Sequence, residues 1–368
     1  MVDLYGQYLK IKEEVDTAIE NVIKNTSFVK GDDVHQFEKE LADYLGVKHV
    51  IACANGTDAL QIALMALDLN PGDEVITADF TFVATVEVIA LLGLKPVLTD
   101  VYKDDFLINT EDIERKITPR TKAIIPVHLF GQCADMDKIM GIAKKHKLFV
   151  VEDNAQAIGA DYHGNFNIKA GAIGDIGCTS FFPSKNLGCF GDGGALYTNN
   201  DELAARMRSV ANHGMTKRYY HDHIGVNSRL DGIQAAILRI KLKHLDEYNK
   251  LRSDAASRYD DFLKGTDKIT TPARSKNSNH IFHQYTLKCN GINRDEVIEK
   301  LKARKIPAMI YYPVPLHSQK AYSHYNFNDS EFPVTNELCK SVFSLPMHTE
   351  LTVEEQEYIC NAIKDIVL

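Results

Sequence analysis

Residues 47–101 read VKHVIACANGTDALQIALMALDLNPGDEVITADFTFVATVEVIALLGLKPVLTDV. Their periodicity decides the fold. VKHVIACA (47–54) is a short β-rich run, and GTDALQIALMALDL has helical length and spacing. DEVITA reads as a strand, TFVATVEVIALLGL as a helix closed near Gly93, and KPVLTDV as a strand again. Strands of five to seven residues alternating with longer helices predict a mostly parallel sheet covered by helices on both faces.

The alternation extends in both directions. Upstream, DDVHQFEKELADYLG (32–46) carries a helical stripe of Phe37, Leu41, Tyr44 and Leu45, closed by Gly46. Downstream, NTEDIERKI (109–117) is a short helix with acidic residues in its first turn. TKAIIPVHL, LFVVEDN and GCTSFF read as strands, and DMDKIMGIAKKHK as a helix. Near residue 232 the pattern changes. Residues 233–263 read as one long helical stretch, and a breaker-rich segment follows at 266–280. HIFHQYTLKC is then a strand, RDEVIEKLKARK a helix, PAMIYYPVP (307–315) an extended run and TVEEQEYICNAIKDIV a final helix. The expected organisation is a large α/β domain over 1–245 and a smaller α+β domain over 246–368. No internal repeat or low-complexity segment is visible.

Composition narrows the function. The chain has 368 residues, a formal net charge of −8 and 25% charged residues. No basic excess exists to neutralise a nucleic acid backbone, so a nucleic-acid partner is not expected. Seven cysteines occur without a CxxC pair, which fits reduced thiols in a cytoplasmic setting better than disulfides or structural zinc. The N-terminal stretch reads as an amphipathic helix rather than a signal peptide, and no apolar run approaches the length of a membrane span. His221 and His223 stand two apart in a polar loop, a poor frame for a metal, and no metal site is expected.

In open α/β sheets ligands bind beyond the carboxyl ends of the strands. After VIACA comes Asn55-Gly56-Thr57-Asp58, where a helix starts. The free amides of a first helical turn with the Thr57 hydroxyl make an anion site; Thr57 or Asp58 as a plain helix cap is the alternative. Asp153 ends the strand LFVVE, followed by Gln156, and is either a cap or a site residue. Ser180 lies in GCTSFF, five residues before Lys185. Lys185 stands among Phe181, Phe182 and Leu187, where desolvation would lower its pKa as a Schiff-base lysine requires. Glycines 188, 191, 193 and 194 permit close approach, but GCFGDGG is not a dinucleotide-binding GxGxxG. A lysine, an acid and an anion cradle are together the parts of a pyridoxal phosphate site.

NGTDALQIAL (55–64), PGDEVIT (71–77) with TFVATVE (81–87), VEDNAQAIGA (151–160), TSFFPSKNLGCFGDGGAL (179–196) and GVNSRLDGIQAAIL (225–238) resemble the motifs of the DegT/DnrJ/EryC1/StrS sugar aminotransferases. The resemblance runs from VDLYGQY to SLPMH. It implies the aspartate-aminotransferase-type fold (fold type I) and a homodimer with active sites at the subunit interface. By the same resemblance, Lys185 matches the lysine that holds pyridoxal 5'-phosphate and moves the proton. Asp153 matches the pyridinium partner and Gln156 the side chain near the phenolic oxygen. Gly56, Thr57, Asp58 and Ser180 match the phosphate cradle, and Phe82 the aromatic residue on the ring face. Asn227 matches the residue that reaches the neighbouring subunit's phosphate. Lysine rather than histidine at 185 favours transamination over the dehydratase branch of the family. Intact site residues speak against a non-catalytic homologue.

The look is nearest to the branch that aminates UDP-linked 2-acetamido-2-deoxy-3-keto-hexuluronates, with L-glutamate as the usual donor, for bacterial polysaccharides such as lipopolysaccharide O-antigen. Arg229 is then either a carboxylate clamp or a structural arginine. His317 and the tyrosines Tyr311 and Tyr312 are expected near the substrate. IYYPVPLHSQ (310–319) has Tyr311 where that branch is expected to carry histidine. A neutral dTDP- or UDP-linked 3- or 4-keto-6-deoxyhexose is the alternative substrate.

Overall fold

The computed structural model describes residues 1–367. A seven-stranded sheet forms its centre. Its strands are β1 (His49–Cys53), β2 (Glu74–Ala78), β3 (Lys95–Thr99), β4 (Thr121–Ile125), β5 (Phe149–Asp153), β6 (Ile176–Ser180) and β7 (Gly194–Thr198). The spatial order is β1-β7-β6-β5-β4-β2-β3, with β7 antiparallel to both of its neighbours and the other pairs parallel. Every residue of β2 is buried, as expected of a strand covered on both faces. Edge strand β3 tolerates Pro96, because an edge can spare one amide donor.

Helices α1 (Leu4–Lys10), α2 (Lys12–Lys24) and α3 (Asp32–Leu45) open the chain. Next come α4 (Gly56–Ala66), α5 (Ala84–Leu91), α6 (Thr110–Lys116), α7 (Met136–His146) and α8 (Asp201–Val210). One core under the sheet joins Ile76, Ile124 and Val150 to Met136 and Ile139 of α7. A second joins Ile62 and Leu64 of α4 to Val75, Ile125 and Val151. Helices therefore cover the sheet on both faces, which is the expected α/β, fold-type-I architecture.

Several expectations need correction. The long helical stretch is two helices, α9 (Gly232–Leu242) and α10 (Leu245–Leu263), separated at Lys243–His244. The extended 307–315 run bridges the rest of the chain at Met309, to Ser344. Strand β7 and helix α8 were not anticipated. GALYT follows a glycine-rich turn and has no alternating pattern, so nothing local marks it as a strand.

Beyond α10 lie β8 (Ile269–Thr270), β9 (Tyr285–Cys289), α11 (Arg294–Ala303), α12 (Pro333–Ser341), β10 (Val342–Leu345) and α13 (Val353–Val367). The three strands form an antiparallel sheet. Its core packs Tyr259 and Leu263 of α10 against Leu287, Phe343 and Ile363. Ile281, Leu338 and Val342 instead join the core beneath the large sheet. The later part of the chain is thus fastened against the carboxyl ends of β2–β4.

Candidate active site

The cradle forms where β1 meets α4. Asn55, not Thr57 or Asp58, caps the helix: its side chain accepts the Asp58 amide at 2.8 Å. The amides of Gly56 and Thr57 find no acceptor among the described residues, so they remain free for an anion. Two glycines let three backbones meet there. A Cβ on Gly56 would lie 2.6 Å from that of Ser180, and one on Gly194 would lie 2.4 Å from the Asn55 carbonyl. Ser180, at the end of β6, is only partly buried.

Asp153 ends β5 and is 6% exposed. Its Oδ1 accepts the Ala155 amide at 3.1 Å, and its other oxygen accepts nothing among the described residues. Burial pushes this carboxyl pKa up; the Ala155 amide, Lys185 and His128 pull against that. A buried carboxylate with a free oxygen calls for a cationic partner.

Lys185 lies in the turn after β6, its amide bonded to the Phe182 carbonyl at 2.8 Å. Burial lowers its ammonium to about 8, with Asp153 opposing. Its Nζ makes no hydrogen bond or ion pair among the described residues. Lys241 is a useful contrast. It is also lowered to about 8 by burial, but its Nζ donates to the Gly188 carbonyl at 2.6 Å. That lysine holds the loop, and Lys185 is the one left free to react.

Gln156 is held at both ends: Oε1 accepts the Phe130 amide at 2.7 Å, and Nε2 donates to the Tyr312 hydroxyl at 3.1 Å. Phe82 is exposed, and its ring lies 6.3 Å from that of Tyr312. Tyr311 is 6.0 Å from Tyr312, ring to ring. These contacts gather the segments after β1, β2, β5 and β6 with Tyr312 in one place.

Three residues bond none of these side chains. Asn227 is exposed, and its segment bridges Asn212. The neighbouring Ser228 accepts the Ala54 amide at 3.0 Å. Arg229 makes no ion pair among the described residues, and its charge depresses Lys30 behind the effect of burial. Neither Asn227 nor Arg229 bonds Lys185, Asp153, Gln156 or Ser180 of its own chain. His317, expected near the substrate, is buried and paired. Its ring is 4.4 Å from Phe332, and both nitrogens face carboxylates, Asp79 and Asp329.

One buried pair was missed. Glu152 is fully buried, and its oxygens accept amides of Gly171 (2.9 Å), Ile173 (2.7 Å) and Gly174 (2.5 Å). His128 Nδ1 accepts the Ala134 amide at 3.2 Å, so its Nε2 carries the proton toward Glu152, 2.8 Å away. The clue was an acid inside the apolar run FVVED.

The residues present fit pyridoxal phosphate: an anion cradle, a free, half-buried amine and a buried carboxylate with one oxygen unbonded among the described residues converge. Known proteins agree. The model of the DegT/DnrJ/EryC1/StrS aminotransferase family matches residues 9–364. The UDP-2-acetamido-2-deoxy-3-oxo-D-glucuronate aminotransferase of Pseudomonas aeruginosa is 46% identical over 98% of both chains. The UDP-N-acetyl-3-dehydro-alpha-D-glucosamine 3-aminotransferase of Acidithiobacillus ferrooxidans is 45% identical over 99% of this chain and 96% of its own. A Bacillus subtilis structure with bound cofactor PMP superposes with a TM-score of 0.89 at 33% identity, covering 97% of this chain and 82% of that one. The chain belongs to the DegT/DnrJ/EryC1/StrS aminotransferase family and is a pyridoxal-phosphate-dependent transaminase.

Proposed function

We propose that the chain moves an amino group from L-glutamate to the 3-ketone of UDP-2-acetamido-2-deoxy-3-oxo-D-glucuronate. It would act as a cytoplasmic homodimer supplying amino sugar for a bacterial surface polysaccharide. One observation carries the reading: two relatives that match nearly end to end are both named for amination at position 3 of UDP-linked sugars. Arg229, a guanidinium without an acid partner among the described residues, supports the uronate. Tyr311 offers no charge to a carboxylate and favours a second reading, a neutral UDP-linked 3-keto sugar. Tyr219, Tyr220 and Ile224 expose large apolar side chains just before Asn227, which supports a covering second subunit there.

Pyridoxal phosphate, when bound, supplies a carbonyl for the travelling amino group and an electron-poor ring. The chain's residues then have separable tasks. The amides of Gly56 and Thr57, with Ser180, bind the phosphate. Asp153 holds a proton on the ring nitrogen. Phe82 covers a ring face, and Gln156 orients the ring from its fixed position. Lys185 would hold the cofactor through its amine and would carry the proton at the substrate carbon. A pKa near 8 leaves its amine partly neutral for both.

The test is turnover of UDP-linked 3-keto-uronate, UDP-linked 3-keto-N-acetylglucosamine and a dTDP-linked 3-keto-6-deoxyhexose, in wild type and Arg229→Ala. The uronate should be preferred, and the variant should lose roughly 10- to 100-fold on it alone. An equal loss on all three would make Arg229 structural, and preference for a neutral sugar would replace the uronate reading.

A further inference from the structure

Two carboxylates stand just past the carboxyl ends of the adjacent strands β2 and β3. Asp100 accepts the amides of Val334 and Thr335, both at 2.9 Å, at the start of α12. Asp79 has a different partner. Its Oδ1 accepts the His317 amide at 2.7 Å, and its Oδ2 faces His317 Nδ1 at 2.6 Å. His317 Nε2 faces Asp329 Oδ1 at 3.0 Å. With both carboxylates ionised, each only accepts hydrogen bonds, so both ring nitrogens donate and the imidazole is a cation. Asp79 is 1% exposed and His317 7%.

The pair joins the two segments that meet at Tyr312. Asp79 lies three residues before Phe82, and His317 five residues after Tyr312. Between them, Phe80 lies 6.0 Å from Tyr312, ring to ring, and Phe82 6.3 Å. Tyr312 in turn meets Gln156. We infer that Asp79 and His317 are a positioning pair that holds Phe82 and Tyr312 in place at the cofactor ring. The inference rests on the proposed role of Phe82 and Gln156 as cofactor contacts.

The charges around His317 fix the sign of its pH response. Burial disfavours its charge, but Asp79 and Asp329 outweigh burial and raise its pKa. Asp100 faces Asp79, and Lys340 acts on Asp329. Lys116 lies 4.7 Å from the centre of the Phe332 ring and pairs with Glu331. Cys339, near Asp79, is kept protonated by burial. The pair is thus made below the raised value and lost as pH rises through it.

Three variants test this. In His317→Asn the L-glutamate half-reaction should slow about tenfold at unchanged donor KM, with the cofactor still attached and its visible circular dichroism altered. In that variant without cofactor, amide exchange of residues 79–82 and 312–317 should quicken together. Asp329→Asn should move the alkaline limb of the half-reaction down by about half a pH unit. Unchanged dichroism and exchange in His317→Asn, or an unmoved limb in Asp329→Asn, overturns the pair. Should His317→Asn fail to fold, the mostly exposed Asp329 still decides. Phe82→Leu separates the two levels. If it leaves the half-reaction intact, the cofactor-contact reading fails and takes the pair with it. If it slows the reaction while His317→Asn does not, only the pair fails.

Discussion

Gly56 and Ser180 approach so closely that a Cβ on the glycine would lie 2.6 Å from the serine Cβ. The contact joins the first turn of α4 to the end of β6, bringing the free amides and the hydroxyl into one cradle. Neither the strand end nor the helix start can yield, because each continues a buried element. Gly56→Ala should cost about 1–3 kcal/mol of stability by overpacking and weaken cofactor binding about tenfold or more. Urea unfolding and titration of the cofactor's absorbance measure the two effects. Binding as tight as wild type would show that the anion does not sit there.

Lys185→Ala should abolish covalent cofactor attachment and turnover, read as loss of the band that reports the attached cofactor. Burial lowers Lys185 from its ordinary 10.5 to about 8, so the folded state binds fewer protons than the unfolded state between those values. The buried ammonium therefore destabilises the cofactor-free protein below pH 8, and the penalty fades as pH rises toward 10.5. Lys185→Met should accordingly be more stable than wild type below pH 8, with the gap closing near pH 10. Denaturant midpoints at the two pH values check the sign.

Glu152→Gln should be damaging although Glu152 touches no ligand in the proposed mechanism. An amide in its place would turn a donor toward groups that themselves donate, the 171–174 amides or His128. The expected cost is about 3–5 kcal/mol, as for one lost partner of a buried pair. A thermal melt within a degree or two of wild type would contradict it.

Asn227 is exposed and bonds none of the site residues of its own chain. If it completes the neighbouring subunit's cradle, Asn227→Ala and Lys185→Ala should each be impaired alone, and mixed dimers should recover part of the activity. One of their two sites then has both residues intact. Verified mixed dimers that stay inactive would place Asn227 outside the site.

The sequence by itself determined the elements whose signals are local. β1 to β6 are short buried runs between turn residues, and α3 to α7 carry apolar stripes or end signals, so each could be read within a dozen residues. The lowered pKa of Lys185 was legible from its apolar neighbours. Only the tertiary structure decided relations between distant segments. Strand β7 sits between β1 and β6 by pairing, which no local pattern records. Asn55 rather than Thr57 caps α4, because backbone dihedrals decide which residue stays outside the helix. His317 reads in sequence as a residue near the substrate. It becomes a buried cation only because folding brings Asp79, 238 positions away, to its ring. Hydrogen bonds and burial act through space, and chain order carries no record of that distance.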